Sequence, residues 1–262
     1  MPADLSPADL AKKAAADRAV DFVQDGMRLG LGTGSTAAFM VRRLGERVRQ
    51  EGLRVVGVPT SSRTAELARA EGIRVVTLDQ AGWLDLTIDG ADEFDPDLTL
   101  IKGGGGAHLQ EKVVAAASDR MIVISDRAKR VARLGAFPLP VEVLKFGLNS
   151  TERHIARVLA DLGYSGRKIT LRQAGDQPFV SDEGNYILDL HLQAISDAAA
   201  LSGALNQIPG LVENGLFINM SDLIIVGHDD GSSDLIEAQP GTLAAMSAPR
   251  NRAADPFADI KE

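Results

Sequence analysis

The chain has 262 residues, enough for one large or two modest domains, with 45% hydrophobic residues, 24% charged residues and few aromatics. Its net charge of −8 argues against a general nucleic-acid or anionic-membrane surface, so an anionic ligand needs a locally positive site. The absence of cysteine excludes disulfides, thiolate metal sites and a cysteine nucleophile, and it suits a reducing compartment.

Met1 to Asp9 shows no basic segment leading into an apolar core, and no apolar run approaches membrane-spanning length. The expected location is therefore cytoplasmic, with no membrane partner. Ser6-Pro7 reads as a cap followed by proline at the first helical position, predicting a helix to about Gln24 before Gly26. Met27 to Leu31 reads as a buried strand, followed by Gly32-Thr33-Gly34-Ser35-Thr36 and a helix to about Gln50. Strands are expected at Leu53 to Val58, Ile73 to Leu78 and Leu84 to Ile88, with a helix at Ser62 to Glu71. Leu98 to Ile101 reads as a strand, Ala107 to Ser118 as a helix and Arg120 to Ser125 as a further strand. Such alternation predicts a mostly parallel, Rossmann-like sheet with helices on both faces.

Phe137-Pro138-Leu139-Pro140 punctuates the chain. Beyond it the order is strand (Val141 to Phe146), helix (Ser150 to Leu162), strand (Lys168 to Gln173), strand (Asn185 to Leu192), helix (Asp197 to Ile208), strand (Leu211 to Ile218). That order is a split βαβ, ferredoxin-like arrangement, a small α+β domain. Leu223 to Gly227 is apolar throughout and fits a return to the first sheet. The expected domains are 1–136 with 219–231, then 137–218, with 232–262 an Asp-, Ser-, Ala- and Pro-rich flexible tail.

The chain's chemistry centres on Lys102-Gly103-Gly104-Gly105-Gly106 between a strand and a helix. Consecutive glycines let the main chain expose its amides, and with the unpaired amides of a helix's first turn they form a cradle for an oxyanion. Lys102 adds a positive charge beside it, and Glu111 adds a carboxylate about one turn into the helix. A base next to stabilisers of developing negative charge suits proton abstraction beside a carbonyl.

Gly32 to Thr36 offers amide and hydroxyl donors at a helix start, suited to the phosphate of a small molecule; the bland alternative is a capped turn. It fits neither a dinucleotide fingerprint, whose third glycine and ribose-binding acid are missing, nor a P-loop. Asp89-Gly90-Ala91-Asp92 lies at the carboxyl end of a strand, where open sheets bind ligands. Its carboxylates suit sugar hydroxyls or, with less support from neighbouring ligands, a divalent metal; Asp-Gly is also a common turn. His108, His154, His191 and His228 are scattered, which argues against a histidine metal site. Arg127, Lys129, Arg130 and Arg133 are expected on a solvated helix face, with one of them able to reach a phosphate.

Taken together, Gly32 to Thr36, Asp89 to Glu93, Lys102 to Gly105 with Glu111-Lys112, and Phe137 to Val143 resemble, in order and spacing, the signature of the type A ribose-5-phosphate isomerase family. The resemblance runs from about Leu10 to about Gly231. It implies interconversion of D-ribose 5-phosphate and D-ribulose 5-phosphate, in the pentose phosphate pathway, without metal or organic cofactor. By motif, Glu111 corresponds to the general base, and Lys102 with the amides of Gly103, Gly104 and Gly105 to the holders of the enediolate. Asp89 and Asp92, with Gly90 and Ala91 between them, correspond to the contacts with sugar hydroxyls. Thr33, Gly34, Ser35 and Thr36 correspond to substrate contacts, with a leaning towards its phosphate, and Lys129 to the substrate-binding lysine. A homodimer or homotetramer is implied, with the sugar phosphate as partner. A non-catalytic sugar-phosphate sensor is the competing class; it keeps the phosphate loop but needs no base.

Overall fold

The computed structural model describes residues 5–238 together with Phe257, Asp259 and Ile260. Residues 1–4 of the expected first domain, and 239–256, 258, 261 and 262 of the expected tail, lie outside the described residues. In chain order the elements are α1 (Pro7–Val20), β1 (Arg28–Leu31), α2 (Ser35–Glu51), β2 (Val56–Pro59), α3 (Ser62–Ala70), β3 (Arg74–Val75), α4 (Leu78–Ala81) and β4 (Leu86–Gly90). Then come β5 (Glu93–Phe94), β6 (Leu100–Ile101), α5 (His108–Ala116), β7 (Met121–Asp126), a 3-10 turn (Arg127–Lys129), β8 (Leu139–Val143) and α6 (Leu148–Asp161). The remainder is β9 (Ile169–Leu171), β10 (Gln173–Ala174), β11 (Gln177–Pro178), β12 (Tyr186–Leu190), α7 (Ala198–Leu205), β13 (Leu211–Asn214), β14 (Leu216–Phe217), β15 (Leu223–Gly227) and β16 (Ser233–Glu237).

The described chain divides into two compact units. The first takes the chain up to Gly90, Gln110–Ala128, and the described residues from Asn219 on. Its sheet has the order β16-β15-β7-β4-β1-β2-β3, all parallel except β16. Strand side chains alternate between faces. Leu29, Leu31, Ile88, Ile122 and Ile124 pack with Ala15, Ala19, Met40 and Leu44 of α1 and α2, whereas Val56, Val58 and Leu84 pack with Val114 of α5. Helices therefore cover both faces, and the continuous apolar character of these strands follows from that double burial.

The second unit takes Ala91–Leu109 and Lys129–Ile218. Its sheet order β13-β8-β12-β9 is antiparallel throughout, so each βαβ crossover brackets a strand of the other. This is the ferredoxin-like arrangement, closed over by Ile155 and Leu159 of α6 and Leu201 and Leu205 of α7. A three-stranded sheet, β14-β6-β5, belongs to the same unit. The partition differs from the expected 1–136 and 137–218: residues 91–109 and 129–136 belong with the second unit. Two long-range ties account for this. β14 pairs with β6, and the buried Glu93 carboxylate accepts from the amides of Gly135 (2.7 Å) and Phe137 (2.5 Å).

Several local expectations are corrected. The first helix ends at Val20 rather than near Gln24, because the amides of Phe22 and Val23 turn back to the carbonyls of Ala19 and Val20. The expected Leu98 strand shrinks to Leu100–Ile101, since the Asp95 carboxylate accepts from the amides of Asp97 and Thr99 and holds Leu98 at φ +58°. No α-helix carries Arg127, Lys129, Arg130 and Arg133. Asp126 accepts from the Ala128 amide to close a 3-10 turn, and the Val131 amide then bonds to the Phe94 carbonyl. Ser233–Glu237, expected in a flexible tail, is an edge strand paired with β15 through its backbone, which needs few apolar side chains.

Candidate functional site

In the first unit the strand order reverses between β1 and β4, and ligands of open α/β sheets bind outside the carboxyl ends of the strands at such a point. Gly32 to Thr36 leave β1 there, and Asp89 and Gly90 end β4 there. The two segments are tied: Asp89 Oδ1 accepts from the amides of Thr33 (3.1 Å) and Gly90 (2.7 Å). Asp89 is fully buried, and a side chain at Gly32 would meet its Oδ1 at 2.1 Å, so only glycine lets the carboxylate lie across the loop. No side chain caps the N-terminus of α2, whose cap residue is Gly34. Its exposed first residues, Gly34 and Ser35, present the positive end of the helix dipole to an anion.

Thr33 turns its hydroxyl inward rather than out. Its Oγ1 lies 2.8 Å from Thr60 Oγ1, 2.8 Å from Ser61 Oγ and 3.2 Å from Thr64 Oγ1. Thr60 also donates to the Leu31 carbonyl and Thr64 to that of Gly32. This hydroxyl cluster and the Thr33 amide bond to Asp89 stiffen the loop from beneath, which leaves the segment from Gly34 to Thr36 to meet a ligand. Sequence reasoning missed Thr60, Ser61 and Thr64. The run Pro59-Thr60-Ser61-Ser62 at the end of an apolar strand, with Ser61 as the cap of α3, is the signal that was available.

Glu111 stands in the first turn of α5 and is 4% exposed. The other end of the helix is tied to the start of β4, where the Leu84 amide bonds to the Ala117 carbonyl at 2.8 Å. Its middle lies on β1: a Cβ at Gly30 would meet Val114 Cγ1 at 2.6 Å, so the absence of a side chain there lets the helix come down onto the strand. The first turn therefore points to the carboxyl edge of the sheet, the edge that carries Gly32 to Thr36 and Asp89.

In the second unit the glycine run forms a tight turn closed by the Gly106 amide on the Gly103 carbonyl (2.9 Å). Gly103 and Gly106 have φ of +108° and +80°, which side-chain-bearing residues rarely adopt, and both are also crowded. A Cβ at Gly103 would meet His108 Nδ1 at 2.7 Å, and one at Gly106 would meet the Phe179 ring at 2.4 Å. Asp92 Oδ2 accepts from the Gly104 amide (2.7 Å). Lys102 is 2% exposed; its amide bonds to the Gly215 carbonyl, and its ammonium lies 5.4 Å from the Phe217 ring centroid, a cation–π distance. The pairing of β5, β6 and β14 thus sets Lys102 at the start of the turn and Asp92 on its Gly104 amide.

Of the expected residues, Thr33, Gly34, Ser35, Thr36, Asp89, Gly90 and Glu111 belong to one sheet edge of the first unit. Ala91, Asp92, Lys102, Gly103, Gly104 and Gly105 belong to the second unit. Lys129, half-buried, closes the 3-10 turn after β7. Among the described residues no group of three or more His, Cys, Asp and Glu is arranged to hold a metal ion. The arrangement can do two things: bind an oxyanion at a capless helix start, and place a carboxylate base at the same sheet edge.

A family model described as ribose 5-phosphate isomerase A (phosphoriboisomerase A) matches residues 56–231. Ribose-5-phosphate isomerase A of Cereibacter sphaeroides is 65% identical over 260 residues, 99% of either chain. The solved ribose 5-phosphate isomerase A of Methanocaldococcus jannaschii is 41% identical, with a TM-score of 0.79, over 88% of this chain and 100% of that one. A D-ribose-5-phosphate isomerase solved in complex with phospho-erythronic acid is 37% identical, with a TM-score of 0.79, over 86% of this chain and 97% of that one.

Proposed function

The chain belongs to the ribose 5-phosphate isomerase A family, and from that premise we propose how its own residues carry the reaction. It is an aldose–ketose isomerase that interconverts D-ribose 5-phosphate and D-ribulose 5-phosphate through an enediolate. In the forward direction a base takes the proton from C2 of the open-chain aldose and negative charge develops on O1. The proton then returns to C1 while the O2 proton passes to O1, so that O1 becomes a hydroxyl and O2 the ketose carbonyl.

Glu111 is the base in this assignment. Lys102 and the amides of Gly103 and Gly105 hold the enediolate oxygens, while the Gly104 amide is held by Asp92. Donors set in place beforehand are worth about 3 to 4 kcal/mol each, and a positioned base contributes on the order of a hundred- to ten-thousand-fold. Asp89 and Asp92, with Gly90 and Ala91, serve the sugar hydroxyls and ring opening. Gly34, Ser35 and Thr36 take the phosphate with Lys129, on a loop that Thr33 braces from within. The phospho-erythronic acid bound by a relative supports an acyclic phosphorylated ligand for this site.

The observation that supports the reading best is the burial of Glu111 at the carboxyl edge that also carries Asp89 and the phosphate loop. The test is formation of ribulose 5-phosphate from ribose 5-phosphate with a chelator present. Turnover insensitive to the chelator is the expected result, since no step above needs a metal; binding without turnover would favour a sugar-phosphate sensor. We further assign the protein to the cytoplasm as a homodimer or homotetramer, on the strength of the family likeness and the cysteine-free composition. Light scattering on the purified chain tests the assembly.

A further inference from the structure

We propose that Arg172 is a positioning residue of the isomerase site, setting the direction of the glycine-loop amides through their carbonyls. The inference rests on the reading of the loop as the enediolate cradle. Arg172 lies between β9 and β10, and its guanidinium is held from one side by Asp189 of β12: Nε to Oδ2 at 3.0 Å and Nη2 to Oδ1 at 2.5 Å. Both side chains are largely buried, with 13% and 17% of their surface exposed. From the other side Nη1 donates to the carbonyls of Gly103 (2.6 Å) and Gly104 (3.2 Å). The guanidinium also lies 5.9 Å from the centroid of Phe179, the ring that fills the space above Gly106.

The consequence follows from peptide planarity, which sets the N–H of a trans peptide opposite its C=O. The Gly103–Gly104 peptide is gripped at both ends, its carbonyl by Arg172 and its N–H by Asp92 Oδ2 at 2.7 Å. The Gly104–Gly105 peptide has its carbonyl turned to Arg172, so the Gly105 amide is aimed away from it. Glycine peptides flip easily. A fork that takes two successive carbonyls removes that freedom, and the bidentate carboxylate fixes the fork itself. The Asp189–Arg172–peptide–Asp92 chain further polarises the linking amide, because hydrogen bonds in series strengthen one another. Arg172 touches neither substrate nor reacting atoms in this account; it acts through the loop.

The test uses the full chain with Arg172→Ala, Arg172→Lys and Asp189→Asn, measuring kcat, KM and thermal stability with ribose 5-phosphate. Misaimed donors are expected to lower kcat of Arg172→Ala by about a hundredfold while KM stays within about threefold. Millimolar guanidinium should restore part of that loss. Lysine cannot span the carboxylate and both carbonyls, so Arg172→Lys should fold like the wild type and remain at least about tenfold slow. Arg172→Lys with wild-type kcat, or a loss confined to KM, overturns the proposal; if Arg172→Ala does not fold, Arg172→Lys and Asp189→Asn decide it by the same criteria. A wild-type chain that does not isomerise ribose 5-phosphate would instead sink the functional reading itself.

Discussion

Replacing Gly32 by alanine tests, with a single methyl group, the geometry of the loop after β1 that we propose takes the phosphate. The new Cβ would lie 2.1 Å from Asp89 Oδ1, 2.3 Å from its Cγ and 2.5 Å from its Cα. The last of these is backbone of a buried central strand, so rotation of the carboxylate alone cannot relieve the clash, and loop or strand must part by about 1 Å. Overpacking of this kind costs about 1–3 kcal/mol. The hydrogen bond from the Thr33 amide to the carboxylate, 3.1 Å long, is strained or lost with it, worth about 1.5–3 kcal/mol when one partner is charged. A net loss of about 3 kcal/mol corresponds to roughly 6–12 °C in Tm for a chain of this size. Because the same shift moves Asp89 and the amides proposed to hold the phosphate, kcat/KM should fall about a hundredfold. Gly203 in α7 is the control: nothing lies within 4 Å of a Cβ there, and Gly203→Ala should stabilise by about 0.5–1 kcal/mol with activity unchanged. Urea unfolding and the coupled isomerase assay read both. Gly32→Ala with wild-type stability and turnover would refute the claim that Asp89 lies across the loop.

Thr33→Val removes the hydroxyl shared by Thr60, Ser61 and Thr64, and urea unfolding should register a loss of about 1–3 kcal/mol from hydroxyls left with fewer partners. Gly106→Ala combines φ +80° with contact to the Phe179 ring; stability should fall by at least about 1–2 kcal/mol, and Phe179→Ala in the same chain should recover part of the loss by opening that space. Glu142, fully buried on β8, accepts from Ser181 (2.7 Å) and Asn185 (2.9 Å) on Oε1, and burial pushes its carboxyl above the ordinary range despite those bonds. A raised folded pKa means that its stabilising contribution is complete below the unfolded value, about 4.3, and is lost as pH rises through the folded value. Glu142→Gln cannot ionise, so its Tm minus that of the wild type should increase as pH rises from about 4 towards neutrality. Parallel Tm profiles for the two proteins would contradict that cause.

What the sequence made legible was what local pattern encodes. Alternating apolar strands and helices gave the parallel sheet, the strand and helix order from Leu139 to Asn214 gave the split βαβ unit, and the apolar run Leu223–Gly227 returned to the first sheet beside β7. Glycines with hydroxyl residues at a strand-to-helix turn marked the loop after β1. The rest depends on contacts between distant residues. The strands β5, β6 and β14 are two residues each, and β14 joins them only where Leu216 and Phe217 meet Ile101 and Leu100, more than a hundred positions earlier. Arg172 and Asp189 look like ordinary charges of a polar hairpin until the fold brings them under the glycine turn. Glu93, next to an Asp-rich motif, is spent on the amides of Gly135 and Phe137, more than forty positions on, a tie that local pattern does not encode. The strand Ser233–Glu237 was hidden by its Asp- and Ser-rich surroundings, since edge pairing uses backbone groups that composition does not reveal.

The account stands on proton abstraction by the Glu111 carboxylate, and the direct measurement is steady-state isomerisation by Glu111→Gln together with exchange of the C2 hydrogen in deuterated water. The amide keeps the shape but not the basicity, so kcat should fall at least about a hundredfold with KM within about threefold and with hydrogen exchange lost in step. Turnover within about tenfold of the wild type, or exchange persisting at the wild-type rate, would contradict the assignment.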